Sequence, residues 1–296
     1  MLRRLFARPP FANSSRRRVV IVLGMHNSGT SLLARAIALM GVELGRHVLT
    51  RESFERAPRY DYWEHAQITE IQDRLLRTLD RYWNEERADW AIPDSAWRRP
   101  EVLAMKNELA EIVRRELSET TAVWGFKDPR TVRLMPLWRD LATVLRLEPL
   151  YLVSLRDPAT VATSFASKGQ VPYELAERLW TRHYFEALQC SQGAPRLVTD
   201  YDAWFADPNR QFERLVDFLG ADFLGLDDPE RRAKARAEVA ATIDPGLKQH
   251  SAPPDAPLRP ITRDLHALLL RMAEGQEDPA ASAALIARQE ELALAG

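Results

Sequence analysis

Two short stretches of this chain hold side chains whose types and spacing suit chemistry on an anionic group. The first is Gly24-Met25-His26-Asn27-Ser28-Gly29-Thr30-Ser31. Its two glycines let backbone amides turn toward a common centre, and a helix starting at its end would add a positive dipole end. A phosphate is therefore the natural guest. Against the nucleotide-triphosphatase pattern G-x-x-x-x-G-K-[ST], Gly24 and Gly29 fit, but Thr30 stands where the lysine belongs, which argues against γ-phosphate chemistry. The second stretch is Lys127-Asp128-Pro129-Arg130, in which two cations flank a carboxylate. It reads either as a buried ion pair that fixes a loop or as a contact for a bound anion or acceptor.

These residues need elements to hold them. Val19 to Leu23 is an apolar run that predicts a strand, and Leu32 to Met40 predicts a buried helix ended by Gly41. Ile68, Ile71, Leu75, Leu79 and Tyr82 recur at helical spacing within 64–83, and Val102, Met105, Leu109, Ile112 and Val113 do so within 101–117. Short strands are expected at 121–126, 149–155 and 196–199, each emptying into a polar loop. Asp157 with Pro158 reads as the N-cap and first residue of a helix to about Lys168, and Asp207 with Pro208 opens another that stops at Gly220. Further helices are expected at 131–146, 172–189, 262–273 and 279–294. Strands alternating with helices predict an α/β fold, a parallel sheet flanked by helices on both faces with a helical C-terminal extension. Ligands in that architecture bind at the carboxyl ends of the strands, where all these loops lie.

The chain has 296 residues, 46% hydrophobic and 28% charged, enough for one large α/β domain. A net charge of −1 argues against a dedicated nucleic-acid binder. Cys190 is the single cysteine, so no internal disulfide forms, and a cytoplasmic, reducing setting is expected. No metal-ligand spacing and no bilayer-length apolar run occurs. Residues 1–17 read as a basic, flexible arm, 18–250 as the α/β domain, and 251–296 as a proline-rich segment with closing helices.

The runs VVIVLGMHNSGTSLLAR and YLVSLRDPATVATSFASK together resemble the two nucleotide-binding signatures of the sulfotransferases, which use the sulfate donor PAPS. The YWE segment and the KDPR motif are similar to bacterial members of that family, and the likeness covers most of 18–250. It implies a P-loop-like fold in which His26, Asn27, Ser28, Gly29, Thr30 and Ser31 hold the donor's 5′-phosphosulfate. It also implies that Arg156 and Ser164, eight residues apart, hold the 3′-phosphate. Two turns into the helix begun by Asp157, the serine hydroxyl can converge with the arginine fork on a dianion. Tyr201 is similar to a tyrosine placed near the adenine, and Lys248 and His250 fall where a late basic segment reaches the 3′-phosphate.

The resemblance implies transfer of a sulfuryl group to a hydroxyl, of a sugar or glycan, without a metal. Such transfer needs a base within reach of the hydroxyl and positive charge on the departing phosphate. Glu64 is the first candidate base and His65 the second, both in Tyr62-Trp63-Glu64-His65. Lys127 and Arg130 are expected at the sulfate or the acceptor, with Asp128 beside them. At Asn27 the family usually carries a cation. Lys127, His26 or Arg130 must then supply the charge, or the protein binds PAP or PAPS with little or no catalysis. A small-molecule kinase of the same fold is the third reading.

Overall fold

The computed structural model describes residues 16–53, 61–120, 123–248, 251–252 and 255–288. His250 and most of the expected basic arm lie outside the described residues. Arg17 belongs to the first strand, and its guanidinium donates to the carbonyls of Leu117 and Thr120.

Five strands build the central sheet: β1 (Arg17–Leu23), β2 (Val42–Glu43), β5 (Val123–Lys127), β6 (Leu147–Leu155) and β7 (Arg196–Asp200). Their order is β2-β5-β1-β6-β7, and every pairing is parallel. A separate antiparallel pair joins β3 (Val48–Leu49) to β4 (Glu64–His65). Alternation along each strand divides the interior in two. Val19, Ile21 and Leu23 join Trp124, Phe126, Tyr151, Val153 and Leu155 on one face, while Val20 and Val22 join Leu150 and Leu152 on the other.

The second face is covered by α1 (Thr30–Leu39), α7 (Tyr201–Ala206), α8 (Pro208–Leu219), α9 (Ala221–Leu224) and α10 (Pro229–Ala241). The first face carries α2 (Ala66–Thr78), α3 (Pro100–Glu119), α4 (Met135–Val144), α5 (Pro158–Ser167) and α6 (Tyr173–Cys190), with the C-terminal α11 (Pro260–Ala273) and α12 (Pro279–Ala287) packed against them. Gly125 leaves no room for a side chain on β5, since a Cβ there would meet the Val20 carbonyl at 2.7 Å.

Three expectations change in detail. Glu64 and His65 lie on β4 rather than inside α2. The helix expected from 131 begins as a 3-10 turn, Pro129–Leu134, before α4 takes over. Helix α10 was not foreseen, because Ala235 and Val239 are the buried positions it offers the core.

Candidate active site

The loops after β1, β5, β6 and β7 meet at the carboxyl edge of four neighbouring strands. The β1 loop turns twice through left-handed backbone, at Asn27 (φ 64) and Gly29 (φ 87). Only glycine serves at 29, since a methyl there would run into the Tyr201 ring. Two contacts from β6 and its end secure the loop: Ser154 Oγ donates to the Ser28 carbonyl at 2.8 Å, and an Arg156 nitrogen donates to the Asn27 carbonyl at 3.0 Å. Gly29 caps α1 with no side-chain acceptor. By contrast, Asp157 accepts from Thr160 N at the start of α5. The first amides of α1 therefore keep their capacity to bind an anion.

Arg156 is buried, and its guanidinium lies over the Tyr201 ring at 4.5 Å. Its carbonyl accepts from Trp180 Nε1 at 3.0 Å, which fixes the backbone where β6 ends. Ser164 is buried on α5. One turn beyond it, Lys168 donates to Asn27 Oδ1 at 3.0 Å. The structure thus brings Arg156, Tyr201, Asn27, Gly29 and Lys168 to one place. Lys248 pairs with Asp202 at 2.6 Å and lies over Phe205, next to Tyr201 in α7.

A second cluster adjoins the loop through Ser31. Lys127 Nζ donates to Glu64 Oε1 at 2.6 Å, to the Tyr62 carbonyl at 2.9 Å and to Ser31 Oγ at 3.3 Å. Ser31 Oγ itself donates to the Tyr62 carbonyl at 3.2 Å. Arg130 reaches Glu64 Oε2 at 3.3 Å and Asp128 Oδ1 at 2.9 Å, and its Nε pairs with Asp73. Burial pulls the Arg130 pKa down, but the charges of Asp128, Glu64 and Asp73 outweigh it and raise it. Asp128, wholly buried, also accepts from Arg130 N at 2.9 Å and from Gln72 Nε2 at 2.7 Å. Gln72 Oε1 in turn accepts from Thr131 Oγ1 at 3.0 Å and Trp138 Nε1 at 2.8 Å. Each buried polar group in this chain of contacts has a partner.

The two candidate bases part company. Successive residues of a strand point to opposite faces, so Glu64 turns to Lys127 while His65 turns to α3. His65 Nδ1 accepts from Ile68 N at 3.4 Å as the cap of α2, and Nε2 lies 3.2 Å from Glu116 Oε1. Burial lowers its pKa and Glu116 partly restores it.

His26 sits beside Trp83 and Phe165, and neither ring nitrogen has a protein partner among the described residues. Burial, then the charges of Arg130, His183 and Lys127, hold its pKa well below the ordinary imidazole value, so the ring is neutral. Of the three groups expected to supply charge beside Asn27, His26 carries none, and Lys127 and Arg130 are engaged by carboxylates.

Sequence reasoning missed Lys168, Asp73 and Gln72. Gln72 left a trace, as a polar residue within an apolar helical stripe, and Lys168 left one by following Ser164 at helical spacing. Among the described residues no group of three or more His, Cys, Asp or Glu is placed to share a metal ion, and no helix is long and apolar enough to cross a membrane.

No protein-family model matches the chain, and no curated protein matches its sequence. Among solved structures it is similar to the sulfotransferase domain of the Synechococcus PCC 7002 olefin synthase, at 17% identity over 97% of this chain and 98% of that one, with a TM-score of 0.45. It is also similar to the sulfotransferase domain from the curacin biosynthetic pathway, at 13% identity over 93% and 98%, with a TM-score of 0.44. A third is mouse sulfotransferase SULT7A1 complexed with PAP, at 12% identity over 94% and 90%, with a TM-score of 0.39.

Proposed function

We propose that this chain is a PAPS-dependent sulfotransferase that acts on a hydroxyl. The observation that carries the reading is the contact chain Glu64–Lys127–Ser31, which fastens a buried carboxylate to the lip of the anion loop. A loop that binds phosphate needs no carboxylate beside it. A loop whose bound group is to be attacked by a hydroxyl does, because the hydroxyl proton must go somewhere.

The uncapped start of α1, Arg156 and the Tyr201 ring form a cradle suited to a nucleotide bearing more than one phosphate. In the transfer, the acceptor oxygen bonds to sulfur in line as the bond from sulfur to the 5′-phosphate oxygen breaks. The acceptor proton passes to Glu64, and the electron pair leaves with PAP. Lys127 and the α1 amides face the oxygens on which charge grows. The acceptor we assign is a sugar or glycan hydroxyl. In its support, Tyr62, whose carbonyl accepts from Lys127 and Ser31, is 41% exposed, an aromatic residue of the kind sugars stack on.

A second reading is a PAP- or PAPS-binding protein without transfer. It is favoured by Glu64 itself, both of whose oxygens are engaged by cations. Calorimetry with PAP, ATP and GTP, followed by sulfate transfer from PAPS to a panel of sugars and phenols, separates these readings. PAP binding with transfer is expected. PAP binding without transfer to any hydroxyl leaves the second reading standing, and tighter ATP binding that requires magnesium sinks both.

A further inference from the structure

Lys168 follows α5 as its C-cap, four residues after Ser164 and so on the same helix face. Its ammonium donates to Asn27 Oδ1 at 3.0 Å, and among the described residues it forms no ion pair. Arg156 approaches the same asparagine from its backbone side, donating to the carbonyl at 3.0 Å. Two cations thus converge on one neutral residue at the mouth of an anion loop. Lys168 differs in this from Lys127 and Arg130, which Glu64, Asp73 and Asp128 match in the neighbouring cluster.

The chemistry of the contact says more. Lysine has donors and no acceptor, so it fixes the oxygen of the Asn27 amide toward itself and turns the NH2 group away as a further donor. The left-handed backbone of Asn27 lets its carbonyl and side chain serve different cations at once. Burial, and then the charge of Arg156, lower the Lys168 pKa, as expected of like charges held close.

We propose that Lys168 and Arg156, joined through Asn27, form a two-cation seat for a phosphate dianion of the nucleotide, with Lys168 supplying the charge that the loop itself lacks. The inference rests on reading the β1 loop as a nucleotide site. Lys168 is a binding residue in this account, and the guest is either phosphate of a nucleoside bisphosphate.

The test is calorimetry of the wild type, Lys168→Met and Lys168→Arg with PAP, adenosine 3′-phosphate and adenosine 5′-phosphate, with thermal melts as the folding control. Lys168→Met is expected to weaken PAP binding about 10- to 100-fold, with Lys168→Arg keeping most of the affinity. The loss is expected to persist for one monophosphate and vanish for the other, which identifies the seated phosphate. Unchanged PAP affinity in Lys168→Met overturns the seat while leaving the nucleotide site intact. An equal loss on both monophosphates also overturns it, because the charge then acts diffusely. A wild-type protein that binds no PAP overturns the nucleotide reading instead.

Discussion

Lys127 Nζ lies 2.6 Å from Glu64 Oε1, with the two side chains only 2% and 8% exposed. Removing one partner of such a pair strands the other charge, at a cost of about 3–5 kcal/mol. Glu64→Gln keeps the shape and a hydrogen-bonding group. It is expected to fold, to bind PAP as the wild type does, and to lose sulfate transfer by about 10²- to 10⁴-fold. Single-turnover assays on a sample whose PAP affinity has been measured check this; full activity in Glu64→Gln would remove the residue from the mechanism.

Lys127→Ala is expected to lower transfer far more than PAP affinity, because Lys127 contacts Ser31 at the end of the β1 loop, where the proposed function puts the sulfuryl group. The comparison needs a temperature below the lowered melting point of the variant. Equal small effects on both quantities would place the needed charge elsewhere.

For His65 the expectation is structural. His65→Ala removes a helix cap and strands the buried Glu116 carboxylate, which destabilises the protein by about 3 kcal/mol or more, read by urea unfolding. Transfer by the folded fraction is expected to stay near wild type. If instead transfer vanished while the fold held, the base would be His65 and the assignment of Glu64 would fall.

Gly29→Ala meets two obstacles, a left-handed backbone and the Tyr201 ring. PAP binding is expected to be lost in Gly29→Ala, while in Tyr201→Ala, which weakens binding by itself, adding Gly29→Ala is expected to cost only about 1–2 kcal/mol more, the backbone share. An equal loss from Gly29→Ala in both backgrounds would show that the backbone strain alone decides the matter.

Acid stability follows from His183. Burial, and next the charge of Arg133, depress its pKa from 6.5 to about 3. The unfolded chain therefore binds more protons than the folded one between those values. The contribution of His183 is complete above pH 6.5 and is lost as pH falls through the window, about 2 kcal/mol by pH 5. His26 and His266, also shifted downward, act in the same direction. Melting temperature measured from pH 7.5 to 5 is expected to fall, and less steeply in His183→Gln; equal slopes would contradict the assignment.

Local patterns made much of this legible. Strand β1, its loop and α1 stand in an unbroken apolar run, two glycines and a second apolar run, and the Asp-Pro pairs at 157 and 207 cap the helices expected of them. What escaped depends on distant partners. The strand pairing of Glu64 needs Leu49, and helix α2 ends early where Asp80 enters the left-handed region (φ 56). Lys168 meets Asn27 across 141 residues, and Gln72 meets Asp128 across 56. Helical spacing marks the face each residue occupies but not its partner, which depends on where the sheet delivers its loops.

The carbonyls of Asn27 and Ser28 are both committed to β6 and the residue just after it, one to Arg156 and the other to Ser154. With those oxygens held, a nucleotide bound as proposed would meet a loop already preorganised. Ordering entropy is then a small part of the cost of docking the nucleotide. Arg156 stands on both sides of that arrangement, as a strut of the loop and, in the proposed function, as a ligand of the phosphate. Its loss would therefore loosen the cradle even where the guest carries no 3′-phosphate at all.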